Sequence, residues 1–197
     1  MTYYPDSPTP VSPDFLKKID QDAPGTWLGS IKADGFRRIC QKNGKVWHIS
    51  GKKGGTGEHV KMPNEIADAL AEYPWPENIT LDCEWIGRRM IEHVAHEYLY
   101  VFDILDGAPA IQRLSLLNTF GMLWGDSVLV KFMPVWTNPG LFDRFQEQMT
   151  NPLSEGLVVR RADSRHLMGR NGCKTNPHCL KIKYRNIREQ THVKEQP

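Results

Sequence analysis

The segment Ile31-Lys32-Ala33-Asp34-Gly35-Phe36-Arg37 sets one lysine beside an acidic turn and an arginine, a grouping suited to attack by an amine nitrogen on phosphorus. A lysine is nucleophilic only when unprotonated, so this chemistry needs nearby cations or a partly desolvated pocket to lower its pKa. Arg37 and Arg38 are the local candidates for that field. Asp34-Gly35 is a turn signal in which glycine lets the backbone approach a ligand closely, which places Lys32 at the mouth of a turn. By itself the stretch reads equally well as a surface lysine in a hairpin.

Other segments supply further parts of such a reaction. In Ile79-Thr80-Leu81-Asp82-Cys83-Glu84-Trp85, strand alternation sends Asp82 and Glu84 to one face and the apolar residues to the other. Asp82 suits a structural hydrogen-bond acceptor better than a ligand. Tyr98 to Leu105 reads as a buried strand with Tyr98, Tyr100 and Phe102 on one side, where an aromatic could stack on a base or simply fill the core. Glu155 precedes Gly156, an apolar run and the pair Arg160-Arg161. In the last strand Lys181, Lys183 and Arg185 share a face opposite Leu180, Ile182 and Tyr184. A row of cations beside a core is costly unless anions answer it, although a solvated sheet edge is the plainer reading.

The elements that must position these residues follow from pattern. The first 26 residues, rich in proline and polar groups, read as an arm with a short helix near Asp14 to Ile19. Trp27 to Ile49 reads as a hairpin that turns at Lys42-Asn43-Gly44-Lys45. A basic, glycine-rich loop from Ser50 to Gly57 follows, either a mobile turn or a phosphate or nucleic-acid contact through Ser50, Lys52 and Lys53. Asn64 is expected to cap a helix with Ile66, Ala69, Leu70 and Tyr73 on one face. Further helices are expected at Leu114 to Leu123 and Leu141 to Met149, with an apolar strand between them at Ser127 to Val135. Helices alternating with non-uniform strands predict an α+β domain, mostly antiparallel sheets with flanking helices.

At 197 residues the chain fits a single domain, and its 40% apolar and 24% charged content is ordinary for a globular protein. No apolar run reaches membrane-spanning length and the start lacks a secretory signal, so no membrane association and a cytoplasmic location are expected. Cys40, Cys83, Cys173 and Cys179 show no disulfide-scaffold spacing. Cys173, His178 and Cys179 form a weak zinc candidate, because their spacing lacks the paired ligands of a finger or ribbon.

The net charge of +2 hides a division. Residues 30–61 carry eight Lys or Arg against two acids, residues 62–110 two against ten, and residues from 157 onward ten against three. Two basic arms around an acidic middle suit a polyanion held near metal-binding carboxylates, with dispersed surface charge as the ordinary alternative.

Together these segments resemble, in order, the motifs of the nucleotidyltransferase (adenylation) domain of ATP-dependent polynucleotide ligases, relatives of mRNA capping enzymes. Lys32-Ala33-Asp34-Gly35-Phe36-Arg37 is similar to the nucleophile motif Lys-x-Asp-Gly-x-Arg, and Ser50 begins a likeness to the variable second motif. Leu81-Asp82-Cys83-Glu84, Phe102-Asp103, Glu155-Gly156-Leu157-Val158-Val159-Arg160 and Leu180-Lys181-Ile182-Lys183 resemble the later ones. The resemblance implies the ligase and capping-enzyme fold over residues 27–185, with a tail at 186–197 and no following oligonucleotide-binding (OB) barrel. It implies Lys32 as nucleophile; Ile31, Arg37, Glu84, Phe102, Lys181 and Lys183 around ATP; Glu84 and Glu155 on magnesium; and Ser50, Lys52, Lys53 and Arg160 near nucleic acid. The expected activity is sealing of nicked duplex DNA through lysyl-AMP, most like a DNA ligase, by a monomer that an accessory protein could assist in place of the barrel. An RNA ligase and a non-catalytic nucleic-acid-binding relative are the alternatives. Two departures stand out: Ser30 occupies a position where many DNA-joining members carry a glutamate that reads the adenine amino group, and Gly51-Lys52 follows Ser50 where the second motif usually has arginine.

Overall fold

The computed structural model describes residues 7–51, 63–87, 95–167 and 175–184. Among the described residues ten strands run β1 (Ser7–Pro10), β2 (Trp27–Ala33), β3 (Phe36–Asn43), β4 (Val46–Gly51), β5 (Thr80–Ile86), β6 (Tyr98–Ile104), β7 (Val130–Phe132), β8 (Val135–Thr137), β9 (Ser154–Arg161) and β10 (Thr175–Lys183). Four α-helices accompany them: α1 (Asp14–Ile19), α2 (Asn64–Ala71), α3 (Ala110–Trp124) and α4 (Leu141–Glu147). The strands form two five-stranded sheets, ordered β1-β10-β9-β2-β8 and β4-β3-β5-β6-β7. Among the described strands only β1–β10 and β6–β7 are parallel pairs, so the expected α+β, mostly antiparallel architecture is present. Among the described residues no helix is long and apolar enough to cross a membrane.

Each sheet buries one face under helices. The first sets Leu157, Val159, Leu180 and Ile182 against Leu16 and Ile19 of α1 and Leu141 and Phe145 of α4. Burying side chains of this size contributes about 1.5–3 kcal/mol each. In the segment read as an arm, β1 therefore extends the first sheet while α1 roofs it. The second sheet packs Cys40, Leu81, Cys83, Leu99, Val101 and Ile104 against Ile66 and Leu70 of α2 and Leu117 and Phe120 of α3. The other faces of the two sheets look onto a common cleft.

Several local expectations shift. β3 and β4 make the hairpin, with Gly44 at φ +60° in its turn, but β2 does not join it. At Asp34-Gly35 the chain leaves one sheet for the other, since β2 pairs with β8 and β9 while β3 pairs with β4 and β5. Asn64 is the first helical residue of α2; Pro63 holds the capping position, where its missing N–H costs nothing. The run from Ser127 to Val135 is divided between two sheets, β7 in one and β8 in the other, around Met133-Pro134.

Candidate active site

Strand register determines what faces the cleft. β2 sets Leu28, Ser30 and Lys32 opposite Arg160, Val158 and Gly156 of β9, and β9 sets those residues opposite Cys179, Lys181 and Lys183 of β10. Directly opposed residues share a face. Three transverse rows result: Lys32-Gly156-Lys183, Ser30-Val158-Lys181 and Leu28-Arg160-Cys179. The expected lysine face of the last strand thus lies beside the Lys32 strand, one strand removed.

Glu155 joins this face through an irregularity. Strict alternation would turn it with Leu157 and Val159 toward the helices. Instead the register passes from Lys32↔Gly156 to Ala33↔Ser154, leaving Glu155 with no opposite residue in β2. Such a bulge re-aims the extra side chain. Its Oε2 lies 2.7 Å from Lys32 Nζ and 2.7 Å from Lys183 Nζ. Gly156 makes the bulge possible: at φ +147° any Cβ there would stand 1.8 Å from the Ile182 carbonyl oxygen.

Asp34 completes the cluster with a side-chain hydrogen bond to Glu155. That bond, burial and the repulsion of Glu155 all raise the Asp34 pKa. Burial works to raise Glu155 as well, but its hydrogen bonds to Asp34, Lys183 and Lys32 outweigh it and hold Glu155 at about 2. Of the two carboxyls, Glu155 is the one favoured to carry the negative charge, between the Lys32 and Lys183 amines.

The second sheet supplies the facing wall. Register aligns Arg37, Glu84 and Tyr100 in one row and Ile39, Asp82 and Asp103 in the next. Here too a single residue is extra: Asp82 pairs with Asp103 but Cys83 with Val101, so Phe102 has no opposite residue in β5. The bulge keeps Phe102 with Tyr98 and Tyr100 and turns the next residue, Asp103, to the cleft side, while Ile104 returns to the core.

Arg37 grips the fully buried Asp82 with a two-pronged pair, Nε to Oδ1 at 2.7 Å and a second bond to Oδ2, and lies 5.7 Å from the Phe102 ring centre. Asp82 is thus the structural acceptor the sequence suggested. Arg38, which also borders the cavity, lies 5.1 Å from the Trp85 ring and 5.6 Å from that of Phe36. Lys183 shares the Glu155 carboxylate with Lys32. Burial pushes Glu84 up to about 7; Lys32 and Arg37 oppose that rise, and Asp82 and Glu155 add to it.

Behind the cleft, Asp103 is fully buried. Arg113 of α3 bonds it at 2.9 Å, His166 Nε2 lies at 3.2 Å and Arg160 Nε at 3.5 Å. Burial would raise the Asp103 pKa, yet these partners hold it well below the usual carboxylate range. That Arg113 and His166 partner Asp103 escaped sequence reasoning. The available signal was Asp103 itself, a lone acid inside an apolar strand, which burial makes untenable without cations.

These residues enclose a cavity of about 430 Å³. Its lining includes Ile31, Lys32, Arg37, Glu84, Phe102, Lys181 and Lys183, with Ser30, Val158, Arg160, Met133 and Pro8. Lys183 also borders a neighbouring cavity of about 380 Å³ that Glu155, Asp34, Asn151 and Tyr184 help to line. Of the residues considered for nucleic acid, Ser50 lies in β4 opposite Ile39, on the cleft-facing side of its sheet but not among the residues that line the cavity. Arg160 is 6% exposed and sits in the cavity wall. Lys52 and Lys53 lie outside the described residues, as does Cys173 of the zinc candidate; among the described residues no three ligating side chains cluster.

No family model and no curated protein matches the sequence. Solved structures do match. A mycobacterial DNA ligase D complexed with ATP and MES superposes with a TM-score of 0.59 at 19% identity, over 80% of this chain and 54% of that one. The fold is that of ligase adenylation domains. The ATP-dependent DNA ligase of bacteriophage T7, complexed with ATP, gives 0.56 at 13% identity over 91% and 68% of the two chains. A Naegleria gruberi RNA ligase gives 0.55 at 18% identity over 96% and 60%. The chain with this ligase fold thus spans between about half and two thirds of the length of these relatives, and the fold is common to DNA-joining and RNA-joining enzymes.

Proposed function

We propose that this domain is the adenylation domain of an ATP-dependent polynucleotide ligase acting on nicked duplex DNA. The observation that carries the reading is the convergence of Lys32 and Lys183 on Glu155 at 2.7 Å, both lysines lining a cavity that also presents Glu84, Arg37, Lys181 and Phe102. An ammonium must lose a proton before it attacks. Lys32 Nζ then forms the N–P bond to the α-phosphorus as the P–O bond to pyrophosphate breaks, leaving lysyl-AMP. AMP passes to the 5′-phosphate at the nick, and the adjoining 3′-hydroxyl displaces it. Phosphoryl transfer of this kind depends on positioning and on neutralising charge at the oxygens. Glu155 holds the Lys32 amine in place, Lys181 and Lys183 offer cations to the phosphates, and Phe102 offers a ring face to the base.

Glu84 and Glu155 are hard oxygen donors whose charges interact, and one or two carboxylates completed by substrate phosphates is a donor set that fits magnesium. When bound there, magnesium would neutralise charge developing on the phosphate oxygens.

The letters of Phe102-Asp103-Ile104-Leu105 and of the Asp82 segment favour DNA, whereas the comparable superposition on an RNA ligase favours keeping RNA as the second reading. The test is incubation with magnesium and α-labelled ATP, denaturation and a search for a labelled band, followed by nicked DNA and nicked RNA duplexes. A band lost in Lys32→Ala, with sealing of DNA, is expected. A band that persists in Lys32→Ala removes the nucleophile, and sealing of RNA alone moves the substrate to the second reading.

A further inference from the structure

Glu155 meets Lys32 and Lys183 because β9 carries one residue more than β2 at that point, and the hydrogen bonds around the extra residue show what holds it there. Ser154 spans it. The Ser154 hydroxyl accepts from the Gly156 N–H at 3.3 Å and lies 3.1 Å from the Gly156 carbonyl oxygen, so one short side chain ties residue 154 to residue 156 around Glu155. Local bonds from a serine to the main chain two residues on fix the backbone where a ladder is interrupted.

Tyr184, the residue after β10, braces the other side. Its N–H donates to the Glu155 carbonyl at 3.1 Å, and its hydroxyl oxygen lies 3.3 Å from Ser154 Oγ and 3.2 Å from the carbonyl oxygen of Phe145 in α4. The Phe145 carbonyl can only accept, so the single phenolic hydrogen goes there, and the single Ser154 hydrogen is left for the Gly156 carbonyl or the Tyr184 oxygen. The Tyr184 ring is buried with its centre 4.8 Å from that of Phe145, which fixes the phenol in place. Ser154 and Tyr184 line the smaller cavity, and neither is among the residues lining the larger one, where the nucleotide would lie. Their hydroxyls therefore reach the chemistry through the direction they give Glu155.

We propose that Ser154, braced by the Tyr184 hydroxyl, is a positioning residue for nucleotide transfer to Lys32: it keeps the bulge turned so that the Glu155 carboxylate holds the Lys32 amine. This rests on the proposed lysyl-AMP chemistry for its kinetic readout but not for its geometric one. A residue that orients the nucleophile without touching the nucleotide alters the rate within the bound complex and leaves nucleotide binding unchanged. Displacements of about 1 Å in such geometry cost up to about a hundredfold in rate.

The test is two measurements on the full chain. One is single-turnover labelling with α-labelled ATP and magnesium over a range of ATP concentrations. The other, without nucleotide, is cross-linking by a water-soluble carbodiimide, which joins a carboxylate only to an amine in direct contact, with the Lys32–Glu155 link quantified by mass spectrometry. Ser154→Ala is expected to lower the maximal labelling rate about tenfold or more with half-saturating ATP held within about twofold, and Ser154→Thr, which keeps the hydroxyl, to stay within about threefold of wild type. The Lys32–Glu155 link should fall several-fold in Ser154→Ala and persist in Ser154→Thr. An unchanged maximal rate, an effect confined to half-saturating ATP, or a link that is absent in wild type or undiminished in Ser154→Ala overturns the proposal. If Ser154→Ala does not fold, Tyr184→Phe, which keeps the ring and the N–H bond to Glu155, takes its place with the same outcomes. If no ATP labels the wild-type protein, the transfer reading fails while the positioning of Glu155 is judged on the link alone: loss in Ser154→Ala with retention in Ser154→Thr sustains it, and equal yields in all three proteins overturn it.

Discussion

Glu84 is held inside the cleft at a cost that can be measured. Burial raises its pKa from 4.5 to about 7, so the folded protein binds a proton there more tightly than the unfolded chain does. Stability then falls as pH rises, beginning near 4.5 and levelling off once the folded carboxyl has ionised above about 7. A shift of this size, from 4.5 to about 7, corresponds to roughly 3 kcal/mol of lost stability by pH 8, but less than about 1 kcal/mol at pH 5. Glu84→Gln keeps the volume and removes the ionisation. The variant should be more stable than wild type by roughly 3 kcal/mol at pH 8 and nearly equal to it at pH 5. Urea unfolding at the two pH values, with the slope of each transition checked for constancy, measures the difference. The same substitution should depress adduct formation, so stability and activity would move in opposite directions. A stability difference that is the same at both pH values refutes the reasoning, because the effect would then come from packing rather than from a buried charge.

Asp103→Asn leaves Arg113, Arg160 and His166 around a neutral amide, and should cost about 3–5 kcal/mol, read as a lowered denaturation midpoint at pH 7. A loss below about 1 kcal/mol would mean those cations find other partners. Gly156→Ala forces a methyl group onto the Ile182 carbonyl at a φ of +147°, so a loss of at least about 3 kcal/mol is expected, with β9 and β10 losing amide-exchange protection first. Uniform protection across both strands in that variant would show that the bulge has another way to relax.

Much of the site can be read from local pattern. Period-two alternation places Asp82 with Glu84, and Lys181 with Lys183, because side-chain direction in a strand depends on its own backbone alone. The order of the motif-like segments likewise points to the fold that the superpositions show. The failures are equally specific. Asp34-Gly35 reads as a turn inside a hairpin segment but carries the chain between sheets, since a turn signal says where the chain bends and not which strand it next meets. Asn64 has a capping side chain, yet Pro63 takes the position.

The sequence by itself determined the residue types available for chemistry and the face each regular strand would present. Only the tertiary structure decided that Glu155 and Phe102 are each one residue too many for the neighbouring strand, that Gly156 gives one of those bulges room, and that Arg113, Arg160 and His166 converge from separate segments on Asp103. The reason is that alternation is a property of one strand's backbone. A bulge is a mismatch between two strands, and a buried ion cluster is an agreement among several, so neither exists until distant segments are in contact.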